Sequence, residues 1–140
     1  MPGSSCIFCR LTTDRDEPTF IFEFEHSTAL VNFEQRDYPG YALLLLKKHY
    51  DHVHKVPQKL LHAFIEERTH LAAALFKAFP ATTRMNYANL GNAVPHVHEH
   101  LIPRHDGDHN AGGPPWPARA QKKLADDEYR AIAARIRIAL

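Results

Sequence analysis

The nine residues from His96 to Arg104, HVHEHLIPR, constrain the fold and the function of this chain more than any other segment. Histidines stand at every second position, at His96, His98 and His100, so an extended segment places all three on one face. Imidazole binds metals, transfers protons or attacks electrophiles near neutral pH, so this clustering indicates a chemical site. The simpler alternative is the polar face of an ordinary strand.

A polar loop precedes this segment and supports the chemical interpretation. Gly91 lets the backbone turn sharply or approach a ligand closely, and Asn89 and Asn92 supply amide groups. Pro95 biases Val94 toward an extended conformation and suits the entry to a strand. Because exposed backbone N–H groups in such a loop can hold phosphate, the pattern is compatible with an anion site beside the histidines.

Cys6 and Cys9 form a C-x2-C pair, a spacing at which two thiolates can share one tetrahedral zinc. Such a zinc needs two more ligands, and the chain has histidines to offer at His49 and His96. A redox pair or two unliganded thiols are the alternatives. A redox pair calls for a strand-to-helix junction, and the sequence predicts no strong helix after Cys9.

The composition excludes several classes of function. With 140 residues the chain is long enough for one domain with its own core. Its 17 basic and 16 acidic residues give a net charge of +1, so no overall charge directs it to nucleic acid or to a membrane. The amino terminus lacks the apolar core of a signal peptide, and the longest aliphatic run, residues 42–46, cannot span a bilayer. We therefore expect a soluble, cytoplasmic protein.

Periodicity predicts an antiparallel sheet. Its five expected strands are residues 19–26, 28–32, 41–47, 84–90 and 96–102. The first alternates so that phenylalanines 20, 22 and 24 share one face, and the third is a continuous apolar run expected to be buried on both faces.

Two helices complete the predicted secondary structure. Apolar residues repeat at helical spacing over residues 58–79, with Pro80 after the last of them, and predict one long helix. A short helix is expected over residues 126–139, begun by Asp126 or Asp127. Strands followed by a helix, then strands and a second helix, indicate the α+β class.

These segments resemble the histidine-triad (HIT) family, in particular its zinc-binding Cys-x-x-Cys members. The matching motifs follow the family's order over residues 6–104 and are CIFC at 6–9, ALVN at 29–32, PGY at 39–41 leading to KKH at 47–49, and GNAVPHVHEHLIPR at 91–104. The resemblance implies a single domain over residues 1–140, in which this core is followed by a Pro/Gly-rich loop and the carboxy-terminal helix. It also implies a homodimer in which two sheets pair.

The resemblance further implies a nucleotide hydrolase or transferase. Such an enzyme cleaves at the α-phosphate of nucleoside phosphoramidates or dinucleoside polyphosphates through a nucleotidyl-histidine intermediate, and we expect a purine nucleotide as substrate. His98 matches the middle histidine of the triad and is the expected nucleophile, with its Nδ1–H donating to a backbone carbonyl. His100 is expected to stabilise the transferring phosphoryl group or to hold the hydrogen-bond network.

Further roles follow from matching positions. Asn92 and, with less support, Asn89 are expected at the phosphates, and Asn32 at the ribose hydroxyls. The expected wall of the base pocket, for which plain core packing is the alternative, is Ile7, Phe8, Leu11, Leu30 and Phe33. One structural zinc per chain is expected on Cys6, Cys9, His49 and His96, and no organic cofactor is expected.

Three residues depart from the family's pattern. Ala93 stands where many members carry a Ser or Thr that assists the leaving group, and Tyr41 replaces a common histidine. Glu99 occupies a usually apolar position, so it faces solvent, is paired, for example with an arginine across the dimer, or has a function. Trp116 is expected near the active site or in plain packing.

Two other hypotheses for the function stay open. One is a zinc-stabilised nucleotide-binding or adaptor module with little turnover, and the other is a catalytic metal bound by the three triad histidines.

Overall fold

The computed structural model describes residues 5–140. Its strands and helices, in chain order, are α1 (Ile7–Leu11), β1 (Phe20–Glu23), β2 (Ser27–Val31), β3 (Ala42–Leu46), α2 (Gln58–Ala78), β4 (Thr82–Ala88), β5 (His98–His105) and α3 (Asp126–Ala139), with a 3-10 turn at Val53–Lys55. The strands form one antiparallel sheet in the order β1-β2-β3-β5-β4. Helices α2 and α3 pack against each other and against the sheet. The predicted α+β class is confirmed.

Strand β3 is the centre of the sheet and lies between β2 and β5. Leu44, Leu45 and Leu46 are fully buried, as expected for an apolar strand covered on both faces. The register pairs Leu45 with His98 and Leu44 with Glu99. Because side chains alternate along a strand, the triad histidines of β5 lie on one face of the sheet and Glu99 on the other.

The prediction that phenylalanines 20, 22 and 24 share one face of the first strand is wrong. The register with β2 shifts between Phe20 and Phe22, so a bulge adds one residue and reverses the alternation. Ile21 and Phe24 are buried as a result, whereas Phe22 is 38% exposed. Periodicity alone does not reveal a bulge, because the inserted residue is marked by no residue type.

The predicted bounds of the last two strands are also shifted. Strand β4 begins two residues earlier than expected, and β5 begins at His98, so His96 precedes the strand. Around it, the Val97 N–H donates to the Tyr50 carbonyl and the Leu46 N–H donates to the Val97 carbonyl. The segment after Pro95 therefore joins the end of β3 before the regular ladder begins.

The long helix is confirmed at Gln58–Ala78, and it ends before Pro80. No helix within residues 5–140 is long and apolar enough to cross a membrane. The short helix predicted over residues 126–139 is confirmed as α3, which begins at Asp126. Its cap position is Ala125, whose N–H donates to Glu128 Oε1 at 3.1 Å. The acidic residues occupy the first turn, where the positive end of the helix dipole stabilises their negative charge.

A tight turn sets the start of β3. Gly40 has φ +90°, and a Cβ there would lie 2.7 Å from the Phe79 ring, so only glycine fits without a shift. The turn delivers Tyr41, which is 2% exposed, to the position just before the strand.

His105 is the last residue of β5, one residue into the expected loop. Residues 106–117 have no regular structure, as expected, yet side-chain hydrogen bonds hold them in place. The Arg104 guanidinium donates to the Asp108 carboxylate at 2.7 and 2.9 Å and to the Gly113 carbonyl at 2.7 Å. The Tyr38 hydroxyl bonds to the carbonyls of His109 and Pro115 at 2.7 and 3.0 Å. This anchored loop carries Trp116 back to the sheet.

Glu99 forms a buried ion pair on the helix face of the sheet. Its carboxylate is 3.4 Å from Arg68 of α2, and the Arg68 guanidinium also stacks over the Tyr87 ring at 4.5 Å. Burial raises the pKa of Glu99, and the positive charge of Arg68 opposes that shift. Of the alternatives left open by the sequence, pairing with an arginine is therefore the observed one, and the partner lies in the same chain.

Arg68→Met is expected to lower the free energy of unfolding by about 2 kcal/mol, because it leaves the Glu99 carboxylate buried without its counter-charge. Urea denaturation measures this loss. The double variant Arg68→Met, Glu99→Leu should recover most of it, since neither charge then remains buried. Arg36→Met, a change at an exposed arginine, is the matched control. Equal midpoints for Arg68→Met and wild type would contradict the prediction.

Candidate functional site

Four side chains from distant parts of the chain converge beside the first triad histidine. The ligating atoms of Cys6, Cys9, His49 and His96 all lie within 4.8 Å of one another. Each sulfur is 3.3 Å from one imidazole Nδ1, and the two Nδ1 atoms are 3.1 Å apart. A tetrahedral zinc with ordinary Zn–S and Zn–N bonds has edges of about 3.3 to 3.8 Å. The cluster therefore fits a zinc-binding site with four protein ligands.

The protonation of the cluster also suits a cation. The His96 Nε2–H donates to the Leu46 carbonyl at 2.6 Å, so its Nδ1 directs a lone pair at the other three ligands. Burial lowers the pKa of His96 and keeps the ring neutral. Burial and the neighbouring Cys6 raise the pKa of the Cys9 thiol to about 11, so a bound metal would be needed to keep it a thiolate near neutral pH.

The cysteines lie on a helical turn that the sequence did not predict. Cys6 caps α1, and its sulfur accepts from the Cys9 N–H at 3.4 Å. Five residues are too few to show helical periodicity, so the sequence carried no signal for this turn. A redox pair was expected to lie at a strand-to-helix junction. The structure describes only residues 5 and 6 before α1, and neither of them is in a strand.

His98 presents a free lone pair to a cavity. Its Nδ1 is 2.6 Å from the His96 carbonyl, and because a carbonyl only accepts, the proton lies on Nδ1 and Nε2 is unprotonated. Burial lowers the pKa of His98, which keeps the imidazole neutral. The Phe8 ring packs edge-on against it at 4.7 Å between centroids. The carbonyl partner expected from the sequence is thus present.

His100 lies among three rings. Its Nδ1 is 2.7 Å from the Tyr41 hydroxyl, the His98 ring is 5.1 Å away, and the Trp116 ring stands perpendicular to it at 5.7 Å. Burial and the nearby His98 lower the pKa of His100 to about 4, so this ring is neutral as well. Trp116 packs within its own chain, at the site rather than away from it.

A cavity of about 570 Å³ opens in front of these two histidines. Its apolar wall includes every residue expected there, namely Ile7, Phe8, Leu11, Leu30 and Phe33. Asn32 and Asn92 line it too, and the Asn32 carbonyl oxygen of the side chain accepts from the Glu34 N–H at 2.9 Å. The structure does not bring Asn89 to this cavity: Asn89 donates to the His98 carbonyl at 3.3 Å and borders a smaller cavity.

Lys123 is a cavity residue that sequence reasoning missed. Its ammonium lies 4.6 Å from the centroid of the Phe33 ring, and Phe33 is 54% exposed at the mouth of the cavity. Lys123 comes from the segment before α3, which no motif connects with the triad. His52 and His54 are exposed, as expected, and are not among the four clustered ligands.

Comparisons with known proteins identify the family to which this chain belongs. The HIT domain family matches residues 14–107. An uncharacterised HIT-like protein of Methanocaldococcus jannaschii is 32% identical over 106 residues, which are 74% of this chain and 81% of that protein. An adenosine 5'-monophosphoramidase of Saccharomyces cerevisiae is 30% identical over 107 residues, or 74% of this chain and 65% of that enzyme.

Solved structures show the same fold. A histidine triad protein from Sinorhizobium meliloti superimposes with a TM-score of 0.78 and 28% identity, covering 86% of this chain and 88% of that one. A zinc-bound histidine triad family protein from Mycobacterium smegmatis gives 0.71 and 21% identity, covering 96% and 92%. The match to the HIT domain family and the 32% identity to the archaeal relative show that this chain belongs to the histidine-triad family.

Proposed function

We propose that this protein is a nucleotide hydrolase or transferase that cleaves at the α-phosphate through a nucleotidyl-histidine intermediate. The observation that carries the proposal is the His98 imidazole, neutral and held by the His96 carbonyl so that its Nε2 lone pair is available at the cavity. A neutral nucleophile brings no negative charge toward the anionic phosphate oxygens, which repel anionic attackers.

The reaction has two steps. The His98 Nε2 lone pair forms a bond to the α-phosphorus while the bond from phosphorus to the leaving group breaks and its electron pair leaves with that group. Water or another hydroxyl acceptor then forms a bond to the same phosphorus while the bond to His98 Nε2 breaks and its electron pair returns to that nitrogen; the proton of the acceptor passes to solvent. The neighbouring His100 stabilises charge on the phosphoryl oxygens during both steps.

The cavity suits a purine nucleotide. Its volume of about 570 Å³ lies within the usual range for small-ligand sites, and its wall is mostly apolar. In our proposal the base packs between Phe8 and Phe33, the ribose hydroxyls bond to Asn32, and the phosphates reach Asn92 beside the histidines. The Lys123 ammonium adds a positive charge at the mouth.

The leaving-group side of the cavity is the weakest match to a phosphoramidase. Ala93 lines the cavity with a methyl group, which cannot donate a proton to a departing amine. A phosphoanhydride leaves as an anion and does not need that proton. The same observation favours the second candidate function, a zinc-stabilised nucleotide-binding module with little turnover.

The four-ligand cluster has a structural role in this proposal. One zinc per chain would join α1 to the segment that leads into β5 and so fix the backbone that orients His98. Chemistry at phosphorus then needs no metal, in contrast to the hypothesis of a catalytic metal on the triad.

We further propose a homodimer that pairs two sheets through β4. This strand is at the edge of the sheet, and it exposes Tyr87 by 44%. Sedimentation equilibrium should give twice the 16.0 kDa of one chain. A mass of one chain at micromolar concentration would contradict this part of the proposal.

His98→Ala is expected to lower nucleoside monophosphate release by at least about a thousandfold, because the nucleophile is removed, while nucleotide affinity and zinc content survive. Adenosine phosphoramidate and diadenosine polyphosphates are the substrates, and intact-protein mass spectrometry after rapid acid quench detects the adduct. The matched control is His62→Ala, at an exposed histidine of α2.

Three outcomes of this experiment separate the candidates. Release and adduct in wild type alone would support the nucleotidyl-histidine enzyme. Binding without release in either protein would favour the non-catalytic module. Equal release by both proteins would contradict the role of His98.

Metal analysis is expected to find about one zinc per chain in wild type and none in Cys6→Ser. The variant should also unfold at a lower temperature, and zinc should dissociate as the pH falls, since protons compete for thiolate and imidazole ligands. His49→Ala should behave like Cys6→Ser, whereas His52→Ala, a neighbouring exposed histidine, should keep the metal. A wild-type protein that contains no metal and unfolds at the same temperature as Cys6→Ser would contradict a structural zinc.

A further inference from the structure

A hydrogen bond joins the buried Tyr41 hydroxyl to the half-buried imidazole of His100. The hydroxyl and Nδ1 are 2.7 Å apart, and Tyr41 is 2% exposed. Two further hydrogen bonds hold the backbone of Tyr41. Its N–H donates to the Tyr38 carbonyl at 3.0 Å, and its carbonyl accepts from the Gln35 side-chain amide at 2.8 Å. The tyrosine is therefore a rigid part of the wall behind His100.

The direction of this bond follows from counting donors and acceptors. Within residues 5–140 the Tyr41 hydroxyl contacts no hydrogen-bonding group other than His100 Nδ1. If Nδ1 carried the proton and donated, the hydroxyl proton would be buried without an acceptor, which is costly. If the hydroxyl donates, its proton and the Nδ1 lone pair are both satisfied. The hydroxyl is therefore the donor.

The tautomer of His100 follows directly. A neutral imidazole that accepts at Nδ1 carries its proton on Nε2. Burial keeps the imidazole neutral and the hydroxyl protonated, because it lowers the pKa of His100 to about 4 and raises the pKa of Tyr41 above its usual value. His98, held by the His96 carbonyl, has its proton on Nδ1. Two adjacent histidines thus present opposite atoms to the cavity: a lone pair from His98 and an N–H from His100.

We propose that Tyr41 is a positioning residue that locks His100 as a neutral Nε2–H donor toward the phosphoryl group that His98 attacks. The inference rests on the proposed function for its purpose, although the tautomer itself is a property of the protein without substrate. A neutral donor stabilises charge that develops on the phosphoryl oxygens without protonating the leaving group.

A merely structural tyrosine is the competing explanation. Tyr41 packs in a small cluster with Tyr38 and Ile102, and Trp116 and Leu43 lie against it. Loss of its hydroxyl could therefore lower stability without any effect on His100. The test needs a measurement that reports the histidine proton itself.

The first measurement is long-range 1H–15N NMR of the ligand-free, zinc-loaded protein, because ring nitrogen shifts distinguish a protonated from an unprotonated nitrogen. His100→Asn assigns the resonances. Wild type should show His100 with the proton on Nε2, and Tyr41→Phe should show a mixture of the two neutral tautomers. Tyr129→Phe removes another buried hydroxyl, one that bonds to the Phe33 carbonyl, and should leave the His100 tautomer unchanged.

The second measurement is steady-state kinetics below the unfolding temperature of each variant. Tyr41→Phe should lower kcat by about tenfold while KM changes by less than about twofold, because the wrong tautomer lacks a donor needed in the transition state. An unchanged His100 tautomer in Tyr41→Phe would overturn the proposal, as would an altered tautomer with unchanged kcat. If wild type releases no nucleotide, the proposed function fails, whereas the NMR result still decides whether Tyr41 sets the tautomer.

Discussion

The site depends on the bonds of one residue, His96. Its Nε2–H donates to the Leu46 carbonyl at the end of β3, and its Nδ1 faces the two cysteines and His49. Its own carbonyl accepts from the His98 Nδ1–H at 2.6 Å. One residue therefore connects the central strand, the four-ligand cluster and the triad. Hydrogen bonds to the Leu46 and Val94 carbonyls hold His96 in place, and the His96 carbonyl in turn fixes which nitrogen of His98 is unprotonated.

Burial on the sheet explains why three close imidazoles can share one site. Desolvation lowers the pKa of His96, His98 and His100, so none of them carries a charge that would repel the others near neutral pH. The nearest buried carboxylate in sequence, Glu99, lies on the opposite face because side chains alternate along β5. Its pairing with Arg68 keeps negative charge on the helix side of the sheet.

The sequence predicted the parts of the molecule that depend on short repeats and on spacing. The apolar run of β3, the long helix and the alternating histidines are local patterns, and the structure contains all three. The C-x2-C pair pointed to a zinc cluster, although its partners His49 and His96 lie 40 and 87 residues from Cys9. The family's motif order supplied that pairing, which residue spacing alone left open.

The sequence did not predict contacts made by single residues across long separations. Arg68 is 31 residues from Glu99, and Tyr41 is 59 residues from His100. Lys123 reaches Phe33 from a segment without any motif. A periodic pattern predicts the element on which a residue lies but not its partner in another element, so only the fold reveals these contacts. The bulge in β1 was missed as well, since one inserted residue reverses a pattern that otherwise reads as regular.

The two departures from the family at the cavity act in a related way. Ala93 offers no donor on the leaving-group side, whereas Tyr41 supplies a hydroxyl behind His100. In the proposed mechanism, the donors of this site are therefore directed at the phosphoryl group rather than at the departing atom. Such a site lowers the barrier by stabilising charge on phosphoryl oxygens, and its rate depends strongly on how well the leaving group bears a negative charge. In the proposed mechanism, the methyl group of Ala93 and the hydroxyl of Tyr41 would together favour phosphoanhydride over phosphoramidate substrates.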